Sequence, residues 1–268
     1  MPRREEVARI LRDLGIRPSR RLGQHFLLDP RPARWMAEKA ASMAERVFEV
    51  GPGLGALTGA LLERGLRVKA VEVDRRLYLY LLRRFREQVE EGTLELIHGD
   101  ALDHDLGGWL VVGNLPFSIT SPLLEKLVKD GARGAVLMLQ EEVVDRILAE
   151  PGTREYGRLT VWVRVHFRAT PGPRVPRRSF HPVPEVGSRI LVLERAEPPD
   201  YGNMETFEAL LRAAFSRRRK KLRNALEGTP FEALTELAPG LMEKRAGELD
   251  PGEFALLSRL YENRDEER

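Results

Sequence analysis

Apolar positions along the chain follow two alternating periods. Between Arg3 and Leu14 they fall at Val7, Ile10, Leu11 and Leu14, the spacing of an amphipathic helix, and Gly15 supplies its stop. Asp29 before Pro30 has the character of an N-cap and first helical residue, which predicts a helix running to about Ala44. From Arg46 onward, short apolar runs alternate with helical patterns. Val47–Val50, Val68–Val73, Leu94–Ile97, Trp109–Gly113 and Gly134–Leu139 have the length of buried strands. Leu54–Arg64, Arg75–Arg86, Pro122–Lys129 and Glu141–Ala149 carry helical spacing. This order predicts an α/β fold with a doubly wound, mostly parallel Rossmann-like sheet. Leu159–Phe167 and Ser188–Leu193 are expected to add strands as an antiparallel edge.

Proline and glycine then divide the chain. The stretch from Pro171 to Pro184 holds five prolines and several arginines, so it is expected to be extended and without regular structure. Ala196–Gly202 reads as a linker. Beyond it the pattern is helical, through Phe207, Leu210, Leu211 and Ala214 and on to Tyr261. Two domains are predicted, 1–200 around the sheet and 201–268 all-helical.

Composition narrows the class. The 268 residues are 42% hydrophobic, enough for an ordinary core. Cysteine is absent and the five histidines are scattered, which argues against disulfides and a metal site. No apolar run approaches the roughly 18 residues of a membrane span, and the N-terminus lacks a signal-peptide core. A cytoplasmic protein, monomeric and without a membrane partner, is the expectation. Charge is uneven: +5 over residues 1–34, −5 over 35–150, +9 over 151–224 and −6 over 225–268. Such polarity suggests a polyanion partner. Arg217, Arg218, Arg219, Lys220, Lys221 and Arg223 are its densest run, expected on a helix and as a grip on RNA phosphates.

Candidate chemistry gathers where strands are predicted to end. Asn114-Leu115-Pro116-Phe117 closes the run Trp109–Gly113. The Asn114 side-chain oxygen and the Leu115 carbonyl are neutral acceptors suited to both hydrogens of an exocyclic amine. Pro116 stiffens the backbone that aims that carbonyl, and Phe117 offers a face on which a base can stack. Glu49-Val50-Gly51-Pro52-Gly53-Leu54-Gly55 follows the first strand of the alternating series and opens a helix. Gly51, Gly53 and Gly55 let the backbone approach a ligand closely. With Ala56 the loop also satisfies a loose dinucleotide pattern, so by itself it does not separate NAD from other nucleosides. Glu72 ends the next strand, where a carboxylate can accept both hydroxyls of a ribose. Asp100 ends the one after, where it can meet an adenine edge. A helix N-cap or a solvated turn explains each acid singly; three successive strand ends carrying an acid or amide argue for a site.

These motifs are shared with a known family. Leu22-Gly23-Gln24-His25-Phe26-Leu27, the Glu49–Gly55 loop, Glu72, Gly99-Asp100-Ala101 and Asn114–Phe117 resemble the ribosomal RNA adenine N6,N6-dimethyltransferases of the kasugamycin-sensitivity type. So do Phe180-x-Pro182-x-Pro184-x-Val186-x-Ser188 and Phe215-Ser216-x-Arg218-Arg219-Lys220-x-Leu222-Arg223-Asn224, and the likeness runs from about Arg21 to Tyr261. It implies S-adenosyl-L-methionine as cofactor, contacted at His25, Leu27, Gly51, Glu72, Asp100 and Asn114. It implies a substrate of two adjacent adenosines in a hairpin near the 3′ end of small-subunit rRNA, each methylated twice on a ribosomal precursor particle. Phe180 becomes a candidate for the face opposite Phe117. Three positions depart from the pattern: His25 for Asn, Phe117 for Tyr, and Gly187 for Asp. A large-subunit rRNA methyltransferase of the antibiotic-resistance type, an RNA-binding factor without chemistry, and a dehydrogenase are the competing classes.

Overall fold

The computed structural model describes residues 4–17, 24–116 and 118–266. Among the described residues nine strands form: β1 (Phe26–Leu27), β2 (Arg46–Val50), β3 (Arg67–Glu72), β4 (Leu94–His98), β5 (Leu110–Asn114), β6 (Gly134–Gln140), β7 (Phe167–Val175), β8 (Phe180–His181) and β9 (Ser188–Arg195). Seven make one sheet in the order β4-β3-β2-β5-β6-β9-β7, while β1 and β8 pair separately and antiparallel. The five strands from β4 to β6 are mutually parallel, and β9 runs antiparallel against β6. The expected α/β architecture is therefore present.

Its physical basis is burial on both faces. Val47, Phe48, Leu110, Val111, Val112 and the run Ala135–Leu139 are all at most 1% exposed, as a sheet covered by helices on both sides requires. Strand order reverses between β2 and β5. Open parallel sheets form their ligand crevice at that reversal, beyond the carboxyl ends of the strands. The predicted caps form as well: Asp29 accepts from the Arg31 amide at 3.0 Å and starts the helix Pro30–Ala41.

Gly113 sets the spacing of the two central strands. A Cβ there would lie 2.8 Å from the Val50 carbonyl oxygen and 3.1 Å from Leu115 Cδ2. Gly113→Ala should therefore push β5 from β2 and lower stability by roughly 1–3 kcal/mol, the cost of overpacking. An unchanged urea midpoint would show that the strands separate freely.

The chain divides into two compact units. One contains the described residues up to Val144 together with Thr170–Glu194; the other contains Asp145–Ala169 and Arg195 onward. The helical unit thus takes in residues 145–169, which the pattern assigned to the sheet domain. Within them, Leu159–Phe167 is not the expected strand but the helix Arg158–His166. Its β-branched residues alternate in a way that suits a strand, yet Thr160, Val161, Trp162, Val163 and Val165 are all buried among other helices. Trp162 stacks on Phe207 with centroids 6.1 Å apart, and His166 donates from Nδ1 to the Trp162 carbonyl while accepting from Tyr201 at Nε2. Tertiary packing overrides local propensity here.

Two further expectations change. Pro171, Gly172 and Pro173 lie within β7, although no regular structure was expected across 171–184. β7 is the outermost strand, where a missing N–H costs no ladder bond. The basic run is not helical: the helix Met204–Ser216 ends before it, Arg217–Lys220 turn, and a new helix begins at Leu222. Consecutive like charges repel on a helix, and the turn disperses them: the Arg218 guanidinium donates to the carbonyls of Thr153 and Arg154, and Lys221 and Arg223 pair with Glu243.

Candidate functional site

A cavity of about 210 Å³ opens at the carboxyl ends of β2, β3, β4 and β5. Its floor is the loop after β2. Gly51, Gly53 and Gly55 all have left-handed φ angles, between 61° and 78°, which side chains other than glycine rarely tolerate. At Gly55 a Cβ would also collide with the Phe85 ring. The loop leads into the helix Ala56–Glu63, whose first amides have no side-chain cap from Gly55.

Carboxyl groups line the walls. Glu72 is 3% exposed; its Oε2 accepts from the Gly53 amide at 2.9 Å and its Oε1 from the Asp74 amide at 3.0 Å. Burial holds its carboxyl above the usual range despite those bonds. Glu49, 1% exposed, accepts from Thr58 Oγ1 at 2.7 Å. Asp100 accepts from the Leu102 amide at 2.9 Å and caps a short turn while also lining the cavity. For Asp100, then, cap and cavity wall are the same residue.

Asn114 ends β5 at the cavity edge. Its Nδ2 donates to the His25 carbonyl at 3.0 Å, which orients the amide and leaves Oδ1 on the opposite arm, accepting nothing among the described residues. The Leu115 amide donates to Met138 at 3.1 Å, and its carbonyl likewise receives no bond among the described residues. His25 Nδ1 donates to the Pro182 carbonyl at 2.9 Å. The histidine that replaces the family's asparagine therefore ties the β1 segment to the proline loop after β8. A small second cavity adjoins, walled by His25, Asn114, Leu115, Phe180 and Pro184.

The predicted residues divide as follows. His25, Leu27, Gly51, Gly53, Glu72, Asp100, Asn114 and Pro116 meet at the larger cavity. Gly55 stands behind it, shaping the loop against Phe85. Phe180, expected to offer a ring to a base, is 1% exposed and packs in the core, with its edge at the smaller cavity. Phe117, with Leu22 and Gly23 of the first motif, lies outside the described residues. Gly187 now has a physical reason. A Cβ there would sit 3.1 Å from Glu141 Oε2, and Arg174 already holds Glu141 at 2.7 Å; an aspartate would face a carboxylate. Phe26, Ala101, Ile119 and Met138 also line the cavity and escaped prediction. Met138 is the register partner of Asn114, a relation visible only after the strands pair.

The donor chemistry selects among ligands. Glu49, Glu72 and Asp100 line the cavity, and among the described residues no lysine or arginine does. Such a wall suits a cationic nucleoside and opposes the pyrophosphate of NAD. Fold and cavity define a Rossmann-like methyltransferase that uses S-adenosyl-L-methionine. A family model described as ribosomal RNA adenine dimethylase matches residues 17–262, and the chain belongs to that family. A ribosomal RNA small subunit methyltransferase A from Geobacter metallireducens is 41% identical, over 93% of this chain and 97% of its own. A probable small subunit methyltransferase A from Methanospirillum hungatei is 38% identical, over 88% and 96%. Among solved structures, a dimethyladenosine transferase from Plasmodium falciparum superposes with TM-score 0.77 at 28% identity, covering 90% of this chain and 98% of that one. The 23S rRNA methyltransferase ErmE gives 0.66 at 25%, covering 88% and 99%.

Proposed function

We propose that the protein transfers methyl groups from S-adenosyl-L-methionine to N6 of two adjacent adenosines in the 3′-terminal hairpin of 16S rRNA, dimethylating each within a small-subunit precursor particle. The observation that carries this reading is the Asn114 amide, oriented by the His25 carbonyl and with Oδ1 accepting from none of the described residues. Relatives named for the small subunit match at 38–41% identity across most of the chain, against 25% for ErmE, which favours the small subunit over the large.

The chemistry starts from a poor nucleophile. The N6 lone pair of adenine is delocalised into the ring. Asn114 Oδ1 and the Leu115 carbonyl accept the two amino hydrogens, draw N6 toward tetrahedral geometry and localise that lone pair. When bound, the cofactor supplies a methyl activated by its sulfonium. Positioning and electrostatics do most of the catalysis, and the N6 proton leaves to solvent once the nitrogen is positive. The base must be unstacked to reach the site, and Phe117 offsets that loss by stacking. Phe117→Tyr should be nearly silent, whereas Phe117→Ala should lose roughly 1–3 kcal/mol of stacking, read as weaker RNA substrate use. Full activity in the alanine variant would assign the ring to packing.

The basic turn supplies the grip on RNA. Arg219 and Lys220 are exposed and make no ion pair among the described residues, whereas Arg218, Lys221 and Arg223 are already engaged. Arg217 donates to the Asn224 carbonyl and keeps its charge at the same turn. Arg219→Gln and Lys220→Gln together should flatten the salt dependence of particle binding by about 0.7 to 0.9 in log–log slope per contact. Arg218→Gln should instead lower stability. A wild-type slope in the double variant would remove the turn from the interface.

We place the protein in the cytoplasm, acting as a monomer; no helix among the described residues is long and apolar enough to cross a membrane. The decisive experiment maps N6,N6-dimethyladenosine on small-subunit particles from cells lacking the protein and from cells regaining it. Unmodified adenosines should acquire the mark only on its return.

A further inference from the structure

The buried carboxyl of Glu49 has no part in the transfer described above, yet it faces the same cavity as Glu72 and Asp100. It accepts from the hydroxyl of Thr58, in the first turn of the helix Ala56–Glu63. Glu49 thus ties the end of its strand to the start of the helix that follows the glycine loop. Its surroundings are otherwise acidic or neutral. Glu72 faces it from β3 with Asp74 beyond, and Asp100 lines the cavity after β4. His25 stands before β1, Asn114 on β5 is uncharged, and Ala33 and Met36 of the helix Pro30–Ala41 are apolar. Among the described residues no lysine or arginine lines the cavity to neutralise this group.

We propose that Glu49 is a specificity-determining residue for the cofactor: it holds a proton in the free protein and releases it to solvent when a ligand of net positive charge binds. S-adenosyl-L-methionine carries an ammonium, a sulfonium and a carboxylate, for a net charge of +1. S-adenosylhomocysteine, left after transfer, has lost the sulfonium charge and is neutral overall. An acid whose ionisation follows ligand charge favours the reactant over the spent product and takes a proton back after each transfer. Exchange of spent for fresh cofactor is thereby favoured, as repeated methylation of one substrate requires. Burial pushes the Glu49 carboxyl up to about 8, against the Thr58 hydrogen bond and with the repulsion of Glu72. Below that value the group is protonated in the free protein, so binding that ionises it strengthens as pH rises.

The inference rests on S-adenosyl-L-methionine as cofactor, which the same titration tests separately. Calorimetry at about pH 6.5, in buffers of different ionisation enthalpy, counts protons exchanged; an α-amino group of pKa about 7.7–8 is already protonated there. Wild type should release close to one proton with S-adenosyl-L-methionine and clearly less with S-adenosylhomocysteine. Its affinity for the former should rise up to about tenfold between pH 6.5 and 7.5. Glu49→Gln should release none and lose the pH dependence. Thr58→Val keeps the carboxyl, deletes one donor and should move the affinity rise to higher pH, a check that survives if the Glu49 variant misfolds. Equal release with both ligands, no exchange in wild type, or unchanged release in Glu49→Gln would overturn the role of Glu49. Absence of any binding would overturn the cofactor assignment, and this inference with it.

Discussion

Replacing Asn114 with alanine is expected to slow methyl transfer by roughly 100- to 1,000-fold, the cost of deleting one acceptor used chiefly in the transition state. The Asn114 Nδ2 bond to the His25 carbonyl keeps the amide from turning, so on the proposed reading Oδ1 would accept from the amine without reorganisation during reaction. A secondary loss of roughly 1 kcal/mol in stability should accompany the change, because that half-buried carbonyl loses its donor. Asn114→Asp tests the donor side: a carboxylate cannot donate to the His25 carbonyl, so with its oxygens no longer held in place the aspartate variant should also fold less stably and remain slow. Single-turnover transfer to small-subunit particles, alongside urea denaturation, reads both. Wild-type turnover in Asn114→Ala would leave the amide with a structural task only.

The second large effect belongs to Glu72. Its two carboxylate oxygens hold the amides of Gly53 and Asp74, so one side chain joins the glycine loop after β2 to the turn after β3. Glu72→Ala should weaken S-adenosyl-L-methionine by about 100-fold or more, from bonds to a charged group worth roughly 1.5–3 kcal/mol each. Glu72→Gln retains one oxygen and should fall between alanine and wild type. Calorimetry without RNA isolates this step. Unchanged affinity in the alanine variant would reduce Glu72 to a brace for the turn at Asp74.

Both residues were visible in the sequence, though for different reasons than the folded chain adds. Glu72 stands at the end of an apolar run, and the need for an acid there followed from where parallel strands place ligands. Its bond to Gly53, 19 residues earlier, did not follow, since nothing local records that a strand end will lie beneath another strand's loop. Asn114 was legible in the same way, but its partner His25 is 89 residues away.

Local pattern alone therefore determined the alternating strands and helices, the glycine loop, the Asp29 cap and the acids at three strand ends. Each depends on neighbours within a few residues or on burial of a short apolar run. Tertiary structure decided the rest. Residues 158–166 are a helix because other helices surround them, although their alternation suits a strand. Phe180 lies in the core because β8 pairs with β1, Leu27 opposite Phe180. The basic run turns instead of continuing a helix because the Thr153 and Arg154 carbonyls and Glu243 draw its cations apart. In each case the deciding partner lies more than ten residues away in sequence, and the free energy of that long-range contact exceeds the small local preference it opposes.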